Sequence, residues 1–132
     1  MREIKFRGKA KASTKELDEL RLKHENGWVV GNLVMYDSKI PYIVGDFIEV
    51  DEEYTINEFW VEVIPDTVSQ YTGIRDEHDK EIYEGDIVRH AAWGDVYEVV
   101  FEDGGFYVIN PHDFQTINEY PLEVIGNTHE NL

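Results

Sequence analysis

Ile4 and Phe6 alternate with the charged residues Glu3, Lys5 and Arg7, the period of two that marks a short, half-buried strand; Gly8 ends it. A helix is predicted next. Ser13 is placed to cap it, Glu16 three residues on completes a capping box, and Leu17 and Leu20 share one face. Asn26-Gly27 is its expected stop, and Lys15–Glu19 and Glu19–Lys23 have i,i+4 spacing. The apolar stripe is thin, which puts this helix on the surface.

Beyond Gly27 the chain reads as strands. Trp28 to Tyr36 and Ile40 to Val50 are rich in β-branched and aromatic residues around a polar break at Asp37-Ser38-Lys39, the pattern of a hairpin. Asp51 to Glu58 reads as an acidic loop and Phe59 to Ile64 as a strand closed by Pro65. Asp66 to Gly73 is predicted as one helical turn, and Arg75 to Glu81 as a polar turn. Strands are expected at Asp86 to Trp93, Asp95 to Glu102, Phe106 to Asn110 and Leu122 to Ile125. Asp103-Gly104-Gly105 is a strong hairpin signal, because these residues tolerate positive φ. Short strands with tight turns point to a mainly β fold: a small antiparallel barrel, SH3-like, or a sandwich. The length of 132 residues fits one domain over 1–132, or two small lobes, 1–65 and 66–132, sharing a core.

Composition sharpens this picture. Hydrophobic residues make up 42% and aromatic residues 13%, enough for a packed core despite the high charge. The absence of cysteine excludes disulfides and thiolate chemistry and fits a reducing compartment. No apolar run is long enough to span a membrane, and the basic start is not followed by the apolar stretch of a secretory signal. Charge is unevenly spread. Residues 1–23 carry eight Lys/Arg against four acids, a net of +4, whereas the remainder carries four against 24, a net of −20. So negative a body repels phosphate backbones, which leaves the basic N-terminal arm as the one segment suited to nucleic acid. The other reading is that the arm pairs with the acidic body.

Four segments carry a resemblance. REIKFRGK at 2–9, NGWVVGNL at 26–33, DTVSQYTGIRDEHDKEIYEGDIVR at 66–89 and EVIGNTHEN at 123–131 resemble the YopX family of phage and prophage proteins. The resemblance implies a mostly β fold and a setting in the cytoplasm of a bacterial host. It implies no activity and no catalytic residue. The chain departs from the family pattern between Gly8 and Asn26, so the expected helix reads as an insertion.

Candidate chemistry is sparse. Asp76, Asp79, Glu81, Glu84 and Asp86 place five carboxylates within eleven residues. A calcium loop of the EF-hand type needs Gly at its sixth position and Glu at its twelfth; counted from Asp76 these are Glu81 and Ile87. The block therefore reads as a solvated turn anchored by Ile82 and Tyr83. His24, His78, His90, His112 and His129 show no metal-ligand spacing, and no serine sits in a nucleophile elbow. Phosphate-binding glycine loops are absent as well, so no enzyme, metal or cofactor is expected. In each of the pairs Phe59-Trp60 and Phe106-Tyr107 one ring must face outward. Trp60, Tyr71, Asp76, Asp79, Glu81, Tyr83, Glu84, Asp86 and Tyr107 are accordingly the candidate interaction surface, for a host or phage protein or a second copy. The leading function is non-enzymatic protein binding through an acidic surface. The alternatives are nucleic-acid binding through the basic arm, or mimicry of DNA toward a host DNA-handling protein.

Overall fold

The computed structural model describes residues 3–117 and 121–129. Among the described residues, thirteen strands, one short α-helix and a 3₁₀ turn follow one another along the backbone. The chain divides into two compact units, one from Ile4 to Gln70 and the other built from Tyr71 onward.

In the first unit, β1 (Phe6–Lys9) pairs with β2 (Trp28–Tyr36), β2 with β3 (Ile40–Val44), and β3 with β6 (Trp60–Glu62), all antiparallel. The isolated Ala10–Val63 bridge draws the end of β1 back to the end of β6, so the sheet curls, but one bridge is not a strand pairing and no closed barrel results. Positive φ at Asp37 and Ser38 makes the β2–β3 turn, with the Lys39 N–H donated to the Tyr36 carbonyl. Asp51 to Glu58, expected to be loop, contains a strand. β5 (Thr55–Asn57) pairs with β4 (Phe47–Val50), so part of the acidic stretch forms one arm of a hairpin.

Helix α1 (Thr14–Glu19) has the predicted Ser13–Glu16 capping box but only six residues. Arg21 takes φ 59°, and its N–H and that of Leu22 bond back to the carbonyls of Asp18 and Leu17, a Schellman stop with Arg in place of Gly. The helix therefore ends well before Asn26-Gly27, which puts Lys23 outside it. Leu17 is 1% exposed and Leu22 packs beside it, whereas Leu20, expected on the same face, is 69% exposed. Around Leu17 gather Ala10, Val29, Ile43, Val61 and Val63, the core of this unit. Gly8 faces that core so closely that a β-carbon there would lie 2.8 Å from a Val63 methyl.

The stretch Asp66 to Gly73 is corrected by the structure. A 3₁₀ turn covers only Pro65–Thr67, and β7 (Ser69–Arg75) begins immediately after it. Buried Thr67 explains the switch. Its Oγ1 accepts the Lys9 N–H at 2.9 Å and donates to the Ile64 carbonyl at 2.6 Å, so the turn is tied to β1 and cannot wind on. Ser69 and Gln70 then pair with β1. Gly73, expected to end a helix, instead sits at φ 86° within a register shift of β7.

In the second unit, the later part of β7 pairs with β8 (Glu81–Tyr83). A five-stranded antiparallel sheet follows in the order β12-β11-β10-β9-β13, from β9 (Asp86–His90), β10 (Val96–Glu102), β11 (Gly105–Asn110), β12 (Asp113–Thr116) and β13 (Leu122–Asn127). A hairpin turn forms where Asp103-Gly104-Gly105 predicts one, but only Asp103 and Gly104, both at positive φ, make it, because Gly105 of β11 already pairs with Glu102. β12 escaped the sequence reading because its Asp-Phe-Gln-Thr carries little strand signal; it forms by pairing with β11. Ile82, Val88, Tyr97, Val99, Phe106, Val108, Ile117 and Leu122 make the core.

Candidate functional site

The carboxylate-rich block lies on β7, β8, β9 and the turns between them. Asp76 is buried and organises the first turn: its Oδ1 accepts the N–H groups of His78 and Lys80, each at 2.8 Å, and its Oδ2 accepts that of Val124 on β13 at 3.0 Å. Burial alone would push this carboxyl up, but the three backbone donors and the nearby His78 charge outweigh it and hold the pKa below the ordinary 3.8. The Glu77 N–H donates to the Leu122 carbonyl at 2.9 Å. Two residues of the turn thus satisfy main-chain groups on β13, an edge strand of its sheet, which blunts that edge against further pairing.

Asp86 is buried at the next turn and accepts the Tyr83 N–H at 2.8 Å, while Gly85 takes φ 85°. Tyr71 and Tyr83 are buried with ring centroids 5.5 Å apart. Four of the nine candidate residues, Tyr71, Asp76, Tyr83 and Asp86, are therefore enclosed and brace the fold. Their neighbours are accessible. Asp79 is exposed at the tip of the turn, where Arg75 donates to its carbonyl at 3.0 Å, and half-buried Glu81 lies 3.5 Å from Arg75. Glu84 is half-buried in the β8–β9 turn.

Trp60 and Tyr107 lie on sheet faces. In the first unit, register and alternation put Val30, Val34, Tyr36, Tyr42 and Trp60 on the face opposite the core. Trp60 is 55% exposed and meets Tyr42 edge-on, with centroids 6.1 Å apart, while Phe59 packs toward the core. In the second unit, Phe106 is buried and Tyr107 faces the other way, stacked on exposed Phe114 at 4.7 Å. Trp93, 70% exposed, stacks on buried His90 at 4.2 Å. The acidic hairpin β4–β5 runs directly into β6, and Asp46, Glu49, Asp51, Glu52, Glu53 and Glu58 are all exposed along it.

The basic segment is folded. Arg7 is buried in β1, with its guanidinium 5.1 Å from the centre of the Trp28 ring. Lys9 donates to the Asn26 carbonyl at 2.7 Å, and Lys11 pairs with Glu62 at 2.7 Å. Arg2 lies outside the described residues.

One ligand-type cluster has no counterpart in the sequence reading. Glu77, His78 and Glu123 bring their ligand atoms within 4.8 Å of one another. Glu77 and His78 are neighbours in the chain, but Glu123 belongs to β13, and no spacing motif links residues so far apart.

Architecture and surface together define a small, antiparallel, mainly β protein whose buried acids serve its own backbone and whose outer faces display aromatic rings. The YopX family model, described as YopX protein, matches residues 5–132, and the chain belongs to that family. A crystal structure of protein EF1440 from Enterococcus faecalis is similar over 99% of this chain and 96% of that one, with a TM-score of 0.52 and 22% identity, a likeness of fold. No curated protein matches the sequence. Among the described residues no helix is long and apolar enough to cross a membrane.

Proposed function

We propose that this protein works by binding another protein and has no catalytic activity. The observation that supports it most is the sheet face carrying Trp60, where an exposed indole lies with Tyr42, Val34 and Tyr36 on strands that continue into a hairpin bearing six exposed carboxylates. Aromatic anchors within a charged rim are the usual composition of a recognition surface. The rim's charge favours a basic partner, and the family resemblance supports seeking that partner in a bacterial cell carrying the phage or prophage. The buried acids favour the same reading, because Asp76 and Asp86 are engaged with backbone N–H groups rather than held ready for proton transfer.

Affinity capture from bacterial cells expressing the chain tests this. A basic protein should be recovered at low salt and lost at high salt, because a charged rim is screened. Capture should also fail with Trp60→Ala and weaken with the triple variant Asp51→Asn, Glu52→Gln, Glu53→Gln. Partners that are neutral or acidic, held equally at high salt and by all variants, would sink the proposal.

A further inference from the structure

The geometry points to a zinc-class divalent cation site at Glu77, His78 and Glu123, joining the turn after β7 to strand β13. Two ligands about 2.1 Å from a tetrahedral zinc lie about 3.4 Å apart. His78 Nε2 and Glu77 Oε1 are 3.4 Å apart. All three ligand atoms fall within 4.8 Å, so a modest rotation of the Glu123 side chain completes the set and leaves a fourth position for water.

The main chain on both sides of the site is tethered before any ion arrives. The Glu77 N–H is bonded to the Leu122 carbonyl and the His78 N–H to Asp76 Oδ1, while Asp76 Oδ2 takes the Val124 N–H. These bonds bracket Glu123 between two tethered neighbours on β13. Arg89 Nη2 lies 3.2 Å from Glu123 Oε2 and orients the carboxylate through one oxygen, the part an outer-sphere partner plays at zinc sites. The imidazole nitrogen selects the ion: calcium and magnesium favour all-oxygen cages, whereas zinc accepts nitrogen with carboxylates. A net charge of −16 further raises the cation concentration near the surface. The ion would act as a clip, adding a third link between the turn and β13.

Calorimetric titration of the untagged, metal-stripped full chain with Zn²⁺, and separately with Mg²⁺, tests the site. One saturable equivalent of zinc and no comparable magnesium binding are expected. His78 is exposed, so His78→Ala should fold normally by circular dichroism yet weaken zinc binding roughly tenfold or more, as should Glu123→Gln. His112→Ala, which alters another exposed histidine, should bind as the parent does. In NMR spectra zinc should shift the His78 imidazole resonances before those of other histidines. Absence of saturable binding, unchanged affinity in His78→Ala, or an equal loss in His112→Ala would each overturn the assignment.

Discussion

Asp76 and Val124 are 48 residues apart in sequence, and the carboxylate of one accepts the backbone N–H of the other at 3.0 Å. This bond turns an apparently solvent-facing acid into a cross-brace between the turn after β7 and an edge strand.

Asp76→Asn keeps the size of the side chain, but its amide NH₂ has no lone pair to offer one of the N–H groups now held. At neutral pH the substitution should cost about 1–3 kcal/mol, the usual penalty for a buried donor left without its acceptor. The parent's own pH dependence follows from its lowered pKa. The stabilisation is fully present above the unfolded-state value, near 3.8, and is lost as pH falls through the lower folded value. Urea unfolding at neutral pH and again near pH 3 should show the gap between parent and variant narrowing in acid.

Tyr54 donates its hydroxyl to Glu49 at 2.6 Å on the acidic hairpin. That bond, with a smaller contribution from burial, raises the phenol above its ordinary 10.0. In ultraviolet titration, Glu49→Gln should move the ionisation of one tyrosine to lower pH than in the parent. Identical titration of both proteins would show that the bond does not persist in solution.

Leu17→Ala should open a cavity in the first unit's core and cost about 2–5 kcal/mol. Leu20→Ala, one turn away, should change stability by less than about 0.5 kcal/mol, because its side chain is already in water. Chemical denaturation of the two variants side by side checks the contrast.

Arg21 holds a left-handed conformation at the helix stop, where glycine is favoured. Arg21→Gly should raise the melting temperature, relieving about 1 kcal/mol of backbone strain. Ser13→Ala should lower it, removing a cap worth about 1 kcal/mol. Opposite shifts in thermal unfolding are the expected result.

Much of the fold is legible along the chain, but the candidate site is less so. Asp103-Gly104 announces its hairpin because the φ values it needs belong to those residues themselves. Phe59-Trp60 and Phe106-Tyr107 must split between two faces for the similarly local reason of strand alternation. Asp66 to Gly73 misleads because its polar residues suit a turn, yet Thr67 is claimed by Lys9 on β1 and the chain leaves as a strand. The carboxylate block reads as one surface, and tertiary bonds divide it: Asp76 and Asp86 turn inward while Asp79 stays in water.

The sequence by itself determined a mainly β chain, its capping box, its hairpin turns and its unequal charge, because each depends on neighbours within a few residues. Tertiary structure alone decided which acids are buried and that Glu123 meets Glu77 and His78. Those outcomes depend on hydrogen bonds and packing between segments tens of residues apart, and such partners leave no period or spacing in the chain to read.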